Sequence, residues 1–220
     1  DRSSAASDVY KRQQRVVSVS CASITLISCS ACFLPMSFPK MLTQASDSVL
    51  IVVDVQAYFL GKIPVHERVT LVSRIAWLMR AADCLDVPII ATAENIPALG
   101  QLLPALKTLL RSGGPVYDKL SFGLLAQTDI REAFEALDRS EVVLVGMETD
   151  VCIAHSALQL HAAGYRTLVI ADATASPEPN HAAGLKRMEN AGIIITNTKG
   201  IFYEWARDVP GAARLRKQLG

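Results

Sequence analysis

From Ser48 onward, apolar runs of strand length alternate with stretches whose apolar residues recur at helical spacing. SVLIVVDVQ (48–56) is a continuous apolar run ending in a carboxylate, the pattern of a strand covered on both faces. Residues 66–85 follow, with Val69, Val72, Ile75, Ala76, Met79 and Ala82 spaced as one packed helix face. VPIIATA (87–93) reads as a second strand, 102–111 as a helix and PVYDK (115–119) as a short third strand. A helix over 128–138, EVVLVG (141–146), a helix carrying Cys152, RTLVIAD (166–172), a helix over 178–190 and GIIITNT (192–198) complete the alternation. Strands separated by helices imply right-handed crossovers. The expected fold is therefore α/β: a single three-layer α/β/α domain, Rossmann-like, with a mostly parallel sheet of about six strands.

The strand ends direct attention to chemistry. Ligands of open parallel sheets bind beyond the carboxyl ends of the strands. Asp54 closes the first strand, Lys119 closes the third, and Cys152 follows the fourth after a short turn. All three should emerge on one edge, so their separation along the chain need not separate them in space. Thr149 or Asp150 is a natural N-cap for the helix behind Gly146, which would put Cys152 near its second or third position. There the helix dipole and free N–H groups favour a thiolate, and a depressed thiol pKa is expected. A free cysteine is also a common core filler, Asp54 could cap a loop, and Lys119 could be a solvated surface residue.

Composition narrows the setting. The chain has 220 residues, half of them hydrophobic, 20% charged, with net charge +1. That suits one globular domain and offers no strong field for nucleic acid. The cysteines stand at 21, 29, 32, 84 and 152, with no CxxC pair or zinc spacing around Cys84 or Cys152, which fits a reducing cytoplasm. Residues 1–40 carry five Lys/Arg against two Asp, leaving 17 against 19 Asp/Glu in the rest. KRQQRVVSVSCASITLISCSACFLPM has the basic start and apolar run of an export signal, yet serines interrupt it and it is a poor membrane span. SSAASDVYKRQ looks like translated adaptor sequence. The expectation is that residues 1–40 are a non-native leader, that Met41 or Met36 is the native start, and that 41–220 form the functional domain.

VVDVQAYF with Asp54, YDKLSF with Lys119 and GMETDVCIAHSALQL with Cys152 closely resemble the signature segments of the isochorismatase-like cysteine hydrolases. IADATAS (170–176) resembles that family's later substrate-loop segment, and TAENIPALG (92–100) looks like a degraded form of the TEQ…LG loop of the isochorismatase domain-containing subgroup. The resemblance spans roughly 48–205. It implies a small-molecule hydrolase in which Asp54 takes the thiol proton and later activates water, while Lys119 keeps Asp54 ionised and stabilises the thiolate. It also implies an oxyanion hole from the backbone N–H groups of Glu148 and Cys152, with a cis Met147–Glu148 peptide. Gln56, Phe59 and Phe122 are candidates for lining the pocket, and Asp172 and Ser176 for facing the substrate.

Nicotinamidase-type relatives carry an Asp/His/His metal cluster after the second strand, and ATAENIPALGQLLPAL holds no histidine. His66, His155, His161 and His181 lie elsewhere, the middle pair six residues apart on the Cys152 helix and so not on one face. No catalytic metal, no cofactor, no nucleic-acid partner and no membrane association are expected. The leading function is metal-independent cleavage of a C–N bond in a small amide, ureido or carbamoyl compound through a Cys152 acyl-enzyme. Alternatives are vinyl-ether hydrolysis with Asp54 as general acid, or a non-catalytic or redox-sensing homologue. Phe202, Tyr203 and Trp205 are candidate contacts of a homo-oligomer, or else they close the core.

Overall fold

The computed structural model describes residues 41–220, and the expectations about residues 1–40, including their three cysteines, lie outside the described residues. Six strands form one parallel sheet: β1 (Ser48–Val53), β2 (Ile89–Glu94), β3 (Val116–Lys119), β4 (Glu141–Met147), β5 (Arg166–Ala175) and β6 (Ile194–Thr196). Their spatial order is β3-β2-β1-β4-β5-β6, and every neighbouring pair is parallel. The chain order reverses direction between β1 and β4, which makes the gap beyond their carboxyl ends the switch point of the sheet.

Period-2 alternation divides the strand side chains between two cores. Leu50 and Val52 of β1, Val143, Val145 and Met147 of β4, and Leu168 and Ile170 of β5 enter one core. Helix α1 (Val65–Cys84) packs on that face. Val49, Ile51 and Val53, Val142 and Leu144, and Val169 enter the other core. There they meet α2 (Thr128–Glu135), α3 (Ala154–Ala162) and α4 (Asn180–Asn190). This two-sided coverage is why the strands read as continuous apolar runs. Helices α5 (Thr198–Ala206) and α6 (Val209–Leu219) close the α1 side through Phe202, Ala212 and Leu215.

Two expectations need correction, and one open alternative is resolved. The buried face of α1 runs through Leu71, Ile75, Leu78, Met79 and Ala82, whereas Val69 is 67% exposed. At 100° per residue Val69 lies about 120° around the helix from Ile75, while Leu71 lies only about 40° away. The helix expected over 102–111 is a single turn, Pro104–Lys107, with another turn at Ile96–Leu99; Pro97 and Pro104 each sit in a first turn, where proline begins a helix. Of the aromatic trio near the carboxyl end, Phe202 and Trp205 are buried, and the Trp205 Nε1–H donates to Ser48 Oγ at 3.0 Å. Those two therefore close the core, leaving Tyr203 exposed. Among the described residues no helix is long and apolar enough to cross a membrane.

Candidate functional site

At the switch point the chain makes two close approaches. Gly146 has φ +123° and pairs with Val53; a Cβ there would stand 2.0 Å from the Val53 carbonyl oxygen. Only glycine lets β4 run this close to the end of β1. Asp54 then leaves β1 in the left-handed region at φ +50°, an uncommon conformation that Asp tolerates better than most residues. Its Oδ1 accepts from Thr92 Oγ1 at 2.7 Å, which fixes the carboxylate against β2.

The turn that delivers Cys152 differs from the expected helix start. Thr149–Ile153 is a π-helical turn whose N-cap is Glu148, not Thr149 or Asp150, and α3 begins only after it. The N–H groups of Val151 and Ile153 both donate to the Glu148 carbonyl, at 3.2 and 3.1 Å. Such widened turns recur at functional sites because they re-aim a side chain without ending the helix. The Met147–Glu148 peptide is cis, as the resemblance implies. Ser156 Oγ donates to the Cys152 carbonyl at 2.6 Å, and Gly184 of α4 lies so close to Asp150 that a Cβ would come within 2.8 Å of its Cα.

The three strand-end residues meet. Lys119 Nζ lies 2.9 Å from Asp54 Oδ2 and 3.5 Å from Cys152 Sγ, and it donates to the Ser121 carbonyl at 2.7 Å. Asp54 and Lys119 are fully buried, and Cys152 is 2% exposed. A fourth member was not anticipated. The Cys152 thiol donates to Glu94 Oε2 at 3.1 Å, and Lys119 Nζ lies 3.8 Å from the same oxygen. Asp54, Glu94 and Cys152 bring one ligand atom each within 4.8 Å of one another. Such a set could draw a cation, but an ammonium already stands among its atoms. With its side chain 20% exposed, Glu94 is where this buried cluster meets solvent.

Electrostatics overturn two expectations. The Cys152 thiol is pushed up, not down: burial contributes most, the Asp54 and Glu94 carboxylates add to it, and Lys119 alone opposes them. A helix end is worth roughly 0.3–1 kcal/mol, too little to reverse that balance. Burial likewise raises the Asp54 carboxyl, outweighing the pull of Lys119, so the lysine does not hold it at an ordinary acidity. For Lys119 burial works the other way, yet the charges of Asp54, Cys152 and Glu94 prevail and keep the ammonium charged. The resting thiol is therefore neutral, and the Asp54 carboxyl beside it holds a proton more tightly than an ordinary carboxyl does.

The remaining candidates are placed differently. Gln56 is buried with its amide committed to main chain: Nε2 donates to the carbonyls of Glu94 and Gly100 at 2.9 and 2.7 Å, and Oε1 accepts from Glu94 N–H at 2.8 Å. It grips the Glu94 loop instead of facing a pocket. Phe59 lies in the core on the α1 side. The Phe122 carbonyl receives a long 3.5 Å contact from Lys119, while its ring, 53% exposed, stands edge-on to His155. Asp172 accepts from Thr198 N–H and Oγ1 at 2.7 and 2.9 Å and pairs with Arg74. It lines a separate cavity of about 700 Å³ with Trp77 and Phe202, whose walls include none of the clustered residues. Ser176 donates to Asp150 Oδ1 at 2.6 Å and so braces the cysteine turn.

Comparison with known proteins finds relatives of this chain in sequence and in fold. A family model described as the isochorismatase domain matches residues 48–200. Isochorismatase domain-containing protein 2 of Xenopus laevis is 31% identical over 163 residues, covering 73% of this chain and 77% of its own. A secreted isochorismatase effector of Phytophthora sojae is also 31% identical, covering 73% and 78%. Among solved structures, the YcaC gene product of Escherichia coli, an octameric hydrolase of unknown specificity, superposes with a TM-score of 0.74 at 23% identity, covering 83% of this chain and 92% of that one.

Proposed function

The chain belongs to the isochorismatase-domain family of hydrolases, and from that premise we propose that it is a metal-independent cysteine hydrolase cleaving a C–N bond of a small amide, ureido or carbamoyl compound. The observation that carries the proposal is the buried contact of Lys119 Nζ with both Asp54 Oδ2 and Cys152 Sγ, at 2.9 and 3.5 Å. Among the described residues Asp54 Oδ2 has no hydrogen-bond donor beyond this ion pair, so it is open to a thiol proton. In the first step that proton passes to Oδ2 while sulfur bonds the substrate carbonyl carbon and the carbonyl electron pair moves onto oxygen. The backbone N–H groups of Glu148 and Cys152 receive this oxyanion. Its collapse breaks the C–N bond, and the leaving amine takes the proton back from Asp54. Asp54 then removes a proton from water, whose oxygen attacks the thioester and releases the thiolate, which Lys119 stabilises until it regains its proton.

Gln56 and Ser176 serve as positioning residues, one for the Glu94 loop and one for the cysteine turn. Phe122 and the exposed Leu120 beside it extend the rim of the site outward. They suit burial against a second copy, in line with the octameric YcaC product, so the working form is a homo-oligomer. The cysteine route needs a reduced thiol, which favours the cytoplasm, in contrast to the secreted Phytophthora relative.

Burial raises the Asp54 carboxyl above the usual carboxylate range, which also suits a proton donor and so favours a second route: vinyl-ether hydrolysis with Asp54 as general acid. Two substitutions separate the routes. On an amide and carbamate panel, Cys152→Ala should lower turnover on the order of 10³-fold or more with the fold intact, and Asp54→Asn should do the same. Mass spectrometry of the wild type should detect an acyl adduct on Cys152. If Cys152→Ala turns over isochorismate-like vinyl ethers at the wild-type rate while Asp54→Asn does not, the second route is correct and the first is wrong.

A further inference from the structure

Glu94 has no task in the steps above, although it holds the thiol more directly than Asp54 does. Its Oε2 is the acceptor of the Cys152 S–H at 3.1 Å. A thiol has one proton; while that proton points at Glu94 it is not directed at Asp54. Glu94 is also hard to displace. Gln56 clamps its N–H and carbonyl, and the next residue, Asn95, is held by donation of its N–H to the Lys119 carbonyl at 3.1 Å. The charges facing the sulfur are Asp54 from β1, Glu94 from β2 and Lys119 from β3: two carboxylates against one ammonium. Glu94 also stands where the cluster meets solvent, so an incoming group meets it early.

We propose that Glu94 is a specificity-determining latch: in the empty site it binds the Cys152 thiol, and a substrate frees that thiol by bringing its own N–H or cationic nitrogen to the Glu94 carboxylate. The sulfur's hydrogen then turns to Asp54 Oδ2. This rests on the cysteine route above and deepens it by naming the substrate class. Primary amides, ureas and amidine- or guanidine-bearing amides fit, because each supplies donors beside the scissile carbon. Substrates with a carboxylate at that position are rejected by like charge. The latch also keeps the thiol protonated, and therefore unreactive, until such a substrate arrives.

Two alkylating probes differing only in this feature test the idea on the full chain. Iodoacetamide carries an amide and iodoacetate a carboxylate; each loses iodide as sulfur bonds its methylene carbon. Rates are read on the Cys152 peptide by mass spectrometry from pH 6 to 10, with folding followed by circular dichroism. The wild type should strongly prefer iodoacetamide. Glu94→Gln should react faster with both probes at neutral pH, move the alkylation profile to lower pH, and reduce the amide-over-carboxylate preference at least tenfold. Should that variant fail to fold, Glu94→Asp replaces it: the shorter side chain releases the thiol, so the profile still shifts, while the retained charge keeps most of the preference. An unchanged profile and preference in the folded variant overturns the proposal. The outcome is separable from the fate of the cysteine route, because alkylation reports the thiol's surroundings even if Cys152→Ala retains full turnover.

Discussion

Lys119 is a long side chain with no exposed surface, and its ammonium contacts Asp54, Cys152 and the Ser121 carbonyl. Such a group ties the site to the pH dependence of stability. The folded-state pKa of the thiol lies above its ordinary value of 9.0, so the folded chain keeps this proton where the unfolded chain has released it. Its stabilising contribution is complete below about pH 9 and is lost as pH rises toward the folded value. Lys119, raised from 10.5, has the same sign and adds its loss above that pH. The melting temperature should therefore fall from about pH 9 upward, and Cys152→Ala should remove the part of the slope that begins there. Equal slopes in calorimetric scans of both proteins would contradict the assigned acidity. At this scale Asp54, Lys119 and Cys152 were legible because each follows a strand end within a recognisable segment. Glu94 was missed, although it closes β2 and pairs in register with Lys119; the strand-end rule would have found it had it been applied to every strand.

Among the elements, the turn from Thr149 to Ile153 matters most. Its π geometry leaves no trace in the apolar pattern, since Val151 and Ile153 fit an ordinary helix start equally well. What holds it is packing from α4, where Gly184 lies against the backbone of Asp150. Gly184→Ala places a methyl 2.8 Å from that Cα, a contact with main chain that must give. We expect a stability loss of about 1–3 kcal/mol. Turnover should fall as well, because the shift falls two residues from the nucleophile. Thermal melts and kinetics together check this: a variant with wild-type melting temperature and rate would mean that the turn tolerates displacement. The central strands β1 and β4 were legible because both of their faces are buried, whereas the edge strands β3 and β6 are largely half-buried. The segment between β2 and β3 was not, because Pro97 and Pro104 break it into single turns whose apolar residues mimic a longer helix.

For the molecule as a whole, the two cores, the sheet and all four clustered residues lie within residues 41–220. Met41 itself is engaged through its carbonyl, which accepts from Arg166 at 2.5 Å, and Thr43 N–H donates to Glu204 at 2.7 Å. A chain begun at Met41 should therefore fold with a melting temperature within a few degrees of the full chain. Aggregation or loss of the cooperative transition in that shortened chain would show that residues 1–40 contribute to the fold. The layered architecture was readable from alternation alone; the spatial order of the strands was not, because periodicity says which face a residue takes but not which neighbour it meets.

The reversal of chain order between β1 and β4 carries a consequence for biosynthesis. Asp54, Glu94 and Lys119 all emerge from the ribosome before residue 120, while Cys152 arrives with the second half of the sheet. The proton-handling groups and the nucleophile are thus inherited from different halves of a growing polypeptide, and until β4 docks beside β1 the nascent chain carries only an unremarkable sulfhydryl. Docking of β4 beside β1 is the step that gives Cys152 both its proton acceptor and the carboxylate that holds its proton in check.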